Sequence, residues 1–268
     1  GIPIAHLHGG ELTEGAVDDA MRHAITKMSA LHFAAAPGYR KRIIQMGEMP
    51  ENVYCVGAPG IENIKAQKLM EKGELEESIQ FSLDKPFVIV TYHPVTLEAN
   101  SAKEQFLNLL DALSVLPYKV IFTKANADAE GRVINGMIDQ YTAEHAENTI
   151  AFTSLGMIRY LSALRFCRMV IGNSSSGIIE APSFGVPTVN IGLRQQGRER
   201  AASVTDCGNG TEEILAAVQK AEDMYAKGML EEIKNPYEGE NTSGKIYQYI
   251  LEYLDKNKNE SKRFYDLP

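Results

Sequence analysis

The chain has 268 residues, 44% of them hydrophobic and 23% charged, and its formal net charge at pH 7 is −8. This composition is typical of a soluble globular protein with enough residues for one large or two ordinary domains. The acidic balance argues against a nucleic-acid or membrane-surface partner, because such partners call for a basic protein surface.

Targeting and redox signals are sparse. No apolar stretch approaches the ~20 residues of a membrane span, and the N-terminus has none of the features of a signal peptide. The three cysteines are far apart and form no CxxC pair, which predicts reduced thiols and a cytoplasmic location. Residue 1 is not Met and an apolar run begins within three residues, so we expect a preceding segment.

Short apolar runs alternate with amphipathic stretches of helical length. The apolar runs cover residues 3–8, 31–36, 53–57, 87–92, 119–124, 149–152, 168–172 and 187–192. The amphipathic stretches cover residues 18–30, 103–116, 131–145 and 210–228, with apolar positions three and four apart. Continuous apolar strands separated by helices predict an α/β fold with parallel sheets covered on both faces.

A charged segment, residues 66–86, separates a first group of about three strands from a second group of about six. We therefore predict two Rossmann-like domains. Residues 1–78 are expected to form the C-terminal part of the first domain, which is incomplete in this chain, and residues 79–242 the second. Residues 243–268 are expected to form a helix and tail that return to the first domain.

The opening stretch GIPIAHLHGGEL places His6 and His8 two residues apart before a double glycine. If the strand continues through His8, both imidazoles lie on one face. Two interpretations compete, a metal site and a ligand-facing turn. The other histidines do not recur at strand ends as a metallohydrolase barrel would need, so we predict no metal. Further on, Asp18 and Arg22 are four residues apart at a predicted helix start. Asp18 is either an acid or base whose pKa is tuned by the neighbouring arginine, or one partner of an ordinary helix salt bridge.

The stretch VIGNSSSGIIE predicts a strand, a loop of small polar residues and a helix that begins near Ser175. The hydroxyls of Ser174, Ser175 and Ser176 and the carboxylate of Glu180 suit a diphosphate and a sugar diol. The alternative is a serine N-cap followed by a solvated glutamate. No GxGxxG motif accompanies this stretch, which argues against a nicotinamide or flavin cofactor, and we predict no cofactor.

Other polar residues follow predicted strands. His93 follows one strand and Asn126 follows the next, at the edge where open α/β sheets bind ligands. Arg194, Arg198 and Arg200 crowd one polar loop, which indicates either an anion site or a solvated loop.

Four stretches together, residues 6–29, 93–97, 171–204 and 258–268, closely resemble the hydrolysing UDP-N-acetylglucosamine 2-epimerases of bacterial sialic-acid-type pathways. The resemblance covers essentially the whole chain. It implies two Rossmann-like domains with a cleft between them, as in glycosyltransferases of the B architecture. It also implies about a hundred family residues before the point where this chain begins. The implied reaction releases UDP and an N-acetylmannosamine-type sugar through a 2-acetamidoglucal.

The resemblance also implies roles for particular residues. The catalytic candidates are Glu11, Asp18, Arg22 and His8. The substrate-binding candidates are His93, Asn126, Phe152, Ser154, Ser174, Ser175, Glu180 and Arg194. In the related non-hydrolysing branch a catalytic glutamate occupies the position of His8, so either His8 or Glu11 takes its role here.

Other functions stay open at this point. A non-hydrolysing 2-epimerase or a B-type glycosyltransferase would use the same nucleotide loop, and a truncated, non-catalytic nucleotide-sugar-binding module would retain only binding. The expected partners are a UDP-sugar, which is UDP-N-acetylglucosamine or a 2,4-diacetamido-trideoxy relative, and further copies of the chain in a homodimer or homotetramer.

Overall fold

The computed structural model describes residues 2–13, 18–94, 102–125, 129–256 and 262–268, without the side chains of residues 18, 129 and 130. The strands in this part of the chain are β1 (Ala5–Leu7), β2 (Leu31–Ala34), β3 (Val53–Cys55), β4 (Phe87–Thr91), β5 (Lys119–Thr123), β6 (Thr149–Phe152), β7 (Met169–Gly172), β8 (Thr188–Ile191) and β9 (Val204–Cys207). The helices are α1 (Asp18–Met28), α2 (Pro37–Gln45), α3 (Pro59–Ala66), α4 (Lys72–Ile79), α5 (Ala102–Ser114), α6 (Ala129–Glu144), α7 (Gly156–Phe166), α8 (Ser175–Ile179), α9 (Thr211–Ala226) and α10 (Thr242–Lys256). None of these helices is long and apolar enough to cross a membrane.

The elements form two compact units. The first contains residues 1–66, 197–199 and 235–268, and the second contains residues 67–196 and 200–234. The first break therefore falls after residue 66, whereas the sequence analysis placed it after residue 78, because α4 packs against α7 of the second unit. Apart from residues 197–199, the chain returns to the first unit at residue 235, eight residues before the predicted position of 243.

The first unit is built on a parallel sheet in the order β1-β2-β3. Strand β2 is buried along its whole length, as a central parallel strand requires. Helix α10 covers the sheet with aromatic side chains, and the rings of Tyr249 and Tyr54 stack with centroids 3.8 Å apart. The C-terminal part of the chain is thus an integral layer of the first unit.

The second unit is a six-stranded parallel sheet in the order β6-β5-β4-β7-β8-β9. Counted from β4 as its first strand, this is the order 3-2-1-4-5-6 of Rossmann-like folds. The predicted α/β class with parallel sheets is confirmed. Because the strand order reverses beside β4, the carboxyl ends of β4 and β7 form the edge at which such sheets bind ligands.

The core of the second unit explains why its strands are readable in the sequence. Val88, Phe122, Ile171 and Val189 are completely buried, and helices α5, α6 and α9 contribute apolar residues to the same cluster. Strand β9 is the exception, since its edge position leaves it only partly buried and it has no continuous apolar run. The sequence analysis identified the other eight strands but not this one.

Candidate active site

The end of β1 separates the two histidines of the HxH motif. The strand ends at Leu7, and His8 adopts a left-handed backbone with φ of 61°. The alternation of side chains along a strand therefore stops before His8, and the expectation that both imidazoles share a strand face is wrong. His6 is buried, with Nδ1 3.2 Å from Oγ1 of Thr26. Within the described ranges, no three His, Cys, Asp or Glu side chains are grouped as a metal ion would need.

His8 instead pairs with the carboxylate that follows the glycines. Its Nδ1 lies 2.7 Å from Oε1 of Glu11, and the His8 side chain is 39% exposed while that of Glu11 is 4% exposed. Gly10 allows this tight turn because its φ is 77° and a side chain there would overlap the carbonyl oxygen of Tyr39. The two alternative acid–base candidates of the sequence analysis thus form one hydrogen-bonded pair.

The second oxygen of Glu11 faces a buried arginine. Nη1 of Arg198 lies 2.9 Å from Oε2 of Glu11, and the arginine side chain is only 6% exposed. Burial raises the pKa of Glu11, but the hydrogen bond with His8 and the charges of Arg198, His8 and Arg22 together bring the pKa below its ordinary value. Glu11 is therefore an ionised carboxylate held between an imidazole and a guanidinium.

The guanidinium of Arg198 also holds the backbone of the same turn. Its Nε donates to the carbonyl of Leu12 at 3.2 Å, and its Nη2 donates to Oγ1 of Thr13 at 3.2 Å. The next residue, Glu199, accepts a hydrogen bond from the backbone N–H of Gly38. Residues 197–199 are thereby fixed within the first unit.

Helix α1 supplies a second arginine to this turn. Nη1 of Arg22 donates to the carbonyl of Glu11 at 3.3 Å and to Oγ1 of Thr13 at 3.2 Å, and it lies 3.6 Å from a carboxylate oxygen of Asp19. Asp19 also accepts a hydrogen bond from the backbone N–H of Thr13 at 2.8 Å. The predicted pairing of Arg22 with Asp18 stays a prediction, because the structure does not describe the side chain of residue 18.

The second unit places its polar residues where β4 and β7 end. The side-chain amide of Asn173 accepts a hydrogen bond from the backbone N–H of His93 and donates one to its carbonyl, both at 2.7 Å. Gly172 has φ of 139°, and a side chain there would overlap the carbonyl oxygen of Thr91. The sequence analysis included His93 but missed Asn173, whose signal was its position between that glycine and the serines.

Asn173 also orders the arginine loop. Its carbonyl accepts hydrogen bonds from Nη1 of Arg194 at 3.1 Å and from Nε2 of Gln195 at 2.8 Å. Arg200 instead forms an ion pair with Asp206 at 2.6 Å. The three arginines predicted as one anion cluster therefore have separate partners.

Helix α8 begins at Ser175, as predicted, and Ser174 is its N-cap, accepting from the N–H of Ser176. Glu180 is not the solvated glutamate of the alternative interpretation. It accepts a hydrogen bond from Oγ of Ser176, which also contacts the hydroxyl of Tyr160, and burial raises the pKa of Glu180. A polar chain of tyrosine, serine and glutamate thus runs along this loop, and Tyr160 had no signal in the sequence.

The remaining predicted residues follow other strands of the same sheet. Phe152 is the last residue of β6. Ser154 is exposed and accepts a hydrogen bond from the N–H of Gly156 at 3.2 Å. Asn126 lies outside the described residues.

Comparison with known proteins places the chain in a known family. The family profile described as UDP-N-acetylglucosamine 2-epimerase matches residues 1–251. A Campylobacter jejuni protein named GDP/UDP-N,N'-diacetylbacillosamine 2-epimerase (hydrolyzing) is 42% identical over 206 residues, which are 76% of this chain and 54% of that protein. An Escherichia coli protein named polysialic acid biosynthesis protein P7 is 37% identical over 272 residues, 100% of this chain and 68% of that protein. The chain thus spans about half the length of the Campylobacter relative.

A solved structure shows the same fold. The UDP-GlcNAc 2-epimerase from Neisseria meningitidis, determined with UDP-GlcNAc bound, superposes with a TM-score of 0.74 at 18% identity, over 94% of this chain and 70% of that one. The match of the family profile and the identity with two relatives carry the assignment beyond fold. The chain belongs to the UDP-N-acetylglucosamine 2-epimerase family.

Proposed function

We propose that the protein is a hydrolysing 2-epimerase, which converts a UDP-N-acetylglucosamine-type sugar to UDP and an N-acetylmannosamine-type sugar for the synthesis of a sialic-acid-like sugar. The names of the Campylobacter and Escherichia coli relatives support the reaction and the pathway. The observation in this chain that carries the proposal is the buried Glu11 between His8 and Arg198.

This arrangement suits proton transfer at carbon. Because the pKa of Glu11 is lowered, its carboxylate is an acceptor only, so Nδ1 of His8 carries the proton that joins them. Nε2 of His8 is then the nitrogen that can accept a proton from the sugar. The carboxylate of Glu11 stabilises the imidazolium that forms when Nε2 does so. We therefore assign proton transfer to His8 and the orienting role to Glu11.

The proposed reaction has two stages. In the first, a base removes the proton from C2 of the sugar while the C1–O bond to UDP breaks, which leaves a C1=C2 double bond in a 2-acetamidoglucal. In the second, water adds its oxygen to C1 and C2 receives a proton on the opposite face. Two faces require two proton-transfer groups, and the Asp18 carboxylate is the second candidate by resemblance to the family.

The second unit is proposed to bind the nucleotide. The hydroxyls of Ser174 and Ser175 and the side chain of Arg194 would hold the diphosphate, and Glu180 would accept hydrogen bonds from the ribose hydroxyls. His93 would contact the diphosphate or the sugar, and Asn126, Phe152 and Ser154 would line the nucleoside. The bound nucleotide of the Neisseria structure supports a UDP-sugar as the substrate class. The homo-oligomer and the cytoplasmic location stay predictions.

The test is to incubate the complete gene product with UDP-N-acetylglucosamine and, separately, with UDP-N,N'-diacetylbacillosamine in deuterated water. We expect free UDP, a free 2-epimer and deuterium at C2 from one of them. A 2-epimer still bound to UDP would indicate a non-hydrolysing epimerase instead. Turnover only with an added acceptor would indicate a glycosyltransferase, and UDP binding without turnover would indicate a binding module.

A further inference from the structure

The C-terminal segment, residues 262–268, packs on the first unit beside the end of α1. We propose that Lys262 is a positioning residue that fixes α1, and with it the Arg22 contacts to the Glu11 turn, for the proton transfers of the reaction. This inference rests on the proposed function. The segment belongs to a stretch that the resemblance singled out and for which the active site gives no role.

Lys262 binds backbone carbonyls in the last turn of α1 and directly after it, since the helix ends at Met28. Its Nζ lies 3.3 Å from the carbonyl oxygen of Thr26, 2.7 Å from that of Lys27 and 2.7 Å from that of Ser29. The last carbonyls of a helix have no partner within the helix, and a cation near them is also favoured by the helix dipole. A single ammonium from a distant part of the chain therefore caps this helix.

The ammonium of Lys262 is itself anchored by a buried carboxylate. It lies 2.7 Å from Oε2 of Glu48, whose side chain is only 3% exposed. Glu48 also binds Nζ of Lys27 at 2.6 Å and Nε2 of His32 at 2.9 Å. Because three donors converge on one buried carboxylate, the position of Lys262 is closely defined.

The residues after Lys262 hold the segment in place. The backbone N–H of Tyr265 donates to the carbonyl of Gly47 at 2.9 Å. The ring of Phe264 covers Gly47, where any side chain would overlap it, and Lys27 lies over the same ring at 4.8 Å from its centroid. The segment is therefore seated by backbone and aromatic contacts as well as by charge.

A continuous set of hydrogen bonds connects Lys262 to the proposed site. Thr26, whose carbonyl Lys262 contacts, donates from Oγ1 to the carbonyl of Arg22 at 3.1 Å. The guanidinium of Arg22 in turn donates to the carbonyl of Glu11 at 3.3 Å. Arg22 precedes Thr26 by about one helical turn, so the helix end that Lys262 holds and the arginine that contacts the Glu11 turn lie in adjacent turns of α1.

The experiment replaces Lys262 in the complete gene product and compares kcat, KM, UDP affinity and hydrogen exchange of the α1 amides. Lys262→Met should lower kcat by about ten- to a hundredfold, the range that a misplaced site can produce. KM should change by less than about threefold and UDP affinity should not change, because the nucleotide residues lie in the second unit. The α1 amides should exchange faster. Lys262→Arg should recover part of kcat.

Lys27→Met is the matched control. It removes one lysine from Glu48 and from the Phe264 ring but leaves the contacts of Lys262 with the carbonyls at the end of α1, so its kcat should fall much less. Equal losses in the two variants would overturn the proposal, since the effect would then come from the charge on Glu48. An unchanged kcat in Lys262→Met, or a loss confined to temperatures near its melting transition, would also overturn it.

Two further experimental outcomes distinguish a failure of this inference from a failure of the proposed function. If Lys262→Met does not fold, Phe264→Ala is the second variant that loosens the segment, and unchanged α1 exchange with unchanged kcat in Phe264→Ala would overturn the role of the segment. If the unaltered protein has no epimerase activity, the proposed function fails, whereas the exchange of the α1 amides still shows whether Lys262 holds the helix.

Discussion

The ion pair between Glu11 and Arg198 makes a quantitative prediction about stability. Two single variants, Glu11→Gln and Arg198→Met, each remove one charge and keep a side chain of similar length. The double variant removes both. The chain contains no tryptophan, so unfolding by denaturant is best followed by far-UV circular dichroism at pH 7.

The expected magnitudes follow from burial. The charged atoms are 2.9 Å apart and both side chains are less than a tenth exposed, so either charge left alone would be buried without its counterion. Breaking such a pair costs about 3 to 5 kcal/mol. Arg198 keeps its bonds to Leu12 and Thr13 and Glu11 keeps His8, so we expect about 3 kcal/mol for each single variant. The double variant leaves no lone charge and should lose only about 3 kcal/mol, which gives a coupling energy of about 3 kcal/mol.

The measurement is the coupling energy itself. The same interaction lowers the pKa of Glu11. The stability that it contributes is therefore fully present above the ordinary carboxylate pKa of 4.5, and it is lost as the pH falls through the lower pKa of the folded protein. Losses that add to within about 0.5 kcal/mol at pH 7 would refute the assignment of a buried, ionised pair. Lys65→Met and Glu238→Gln, at an exposed ion pair of the same unit, form the control cycle and should couple by less than about 1 kcal/mol.

Three further outcomes test other parts of the molecule. Burial lowers the pKa of His6 from 6.5 to about 4, so as the pH falls the unfolded chain binds a proton before the folded protein does. The free energy of unfolding should therefore decrease between pH 6.5 and 4, and in His6→Gln its dependence on pH over this range, measured by denaturant unfolding, should be smaller. Glu180→Ala should weaken UDP binding about tenfold by calorimetry and the exposed-site control Glu144→Ala should not; equal affinities would exclude Glu180 from the site. Asp18→Asn should lower sugar release by about two to four orders of magnitude at unchanged UDP affinity, and near-normal release would contradict its role.

Much of the fold could be predicted because its signals are local. Buried parallel strands appear as continuous apolar runs, and amphipathic helices such as α5 and α9 repeat their apolar positions at the helical period. Both depend only on residues a few positions apart. Strand β9 could not be found in this way, because one edge strand needs no continuous apolar run.

The candidate site was predicted as a set of residues but not as an arrangement. Short-range sequence patterns predicted the serine N-cap of α8 and the position of His93 after β4, because helix caps and strand ends depend on residues close together in the chain. The sequence could not show that Glu180 accepts from Ser176 rather than from water. Nor could it indicate Tyr160, which lies on a different helix from the serine that it contacts.

The sequence by itself determined the α/β class, the parallel sheets and most strand and helix positions, and it supplied most residues of the candidate site. Only the tertiary structure decided that His8 leaves the strand in a left-handed conformation, and that Glu11 meets an arginine 187 residues further along the chain. It alone also brought Lys262 to the end of α1. The physical reason is that secondary structure follows from interactions between neighbours in the chain, whereas the charge state of a buried carboxylate depends on groups that folding brings together from distant positions.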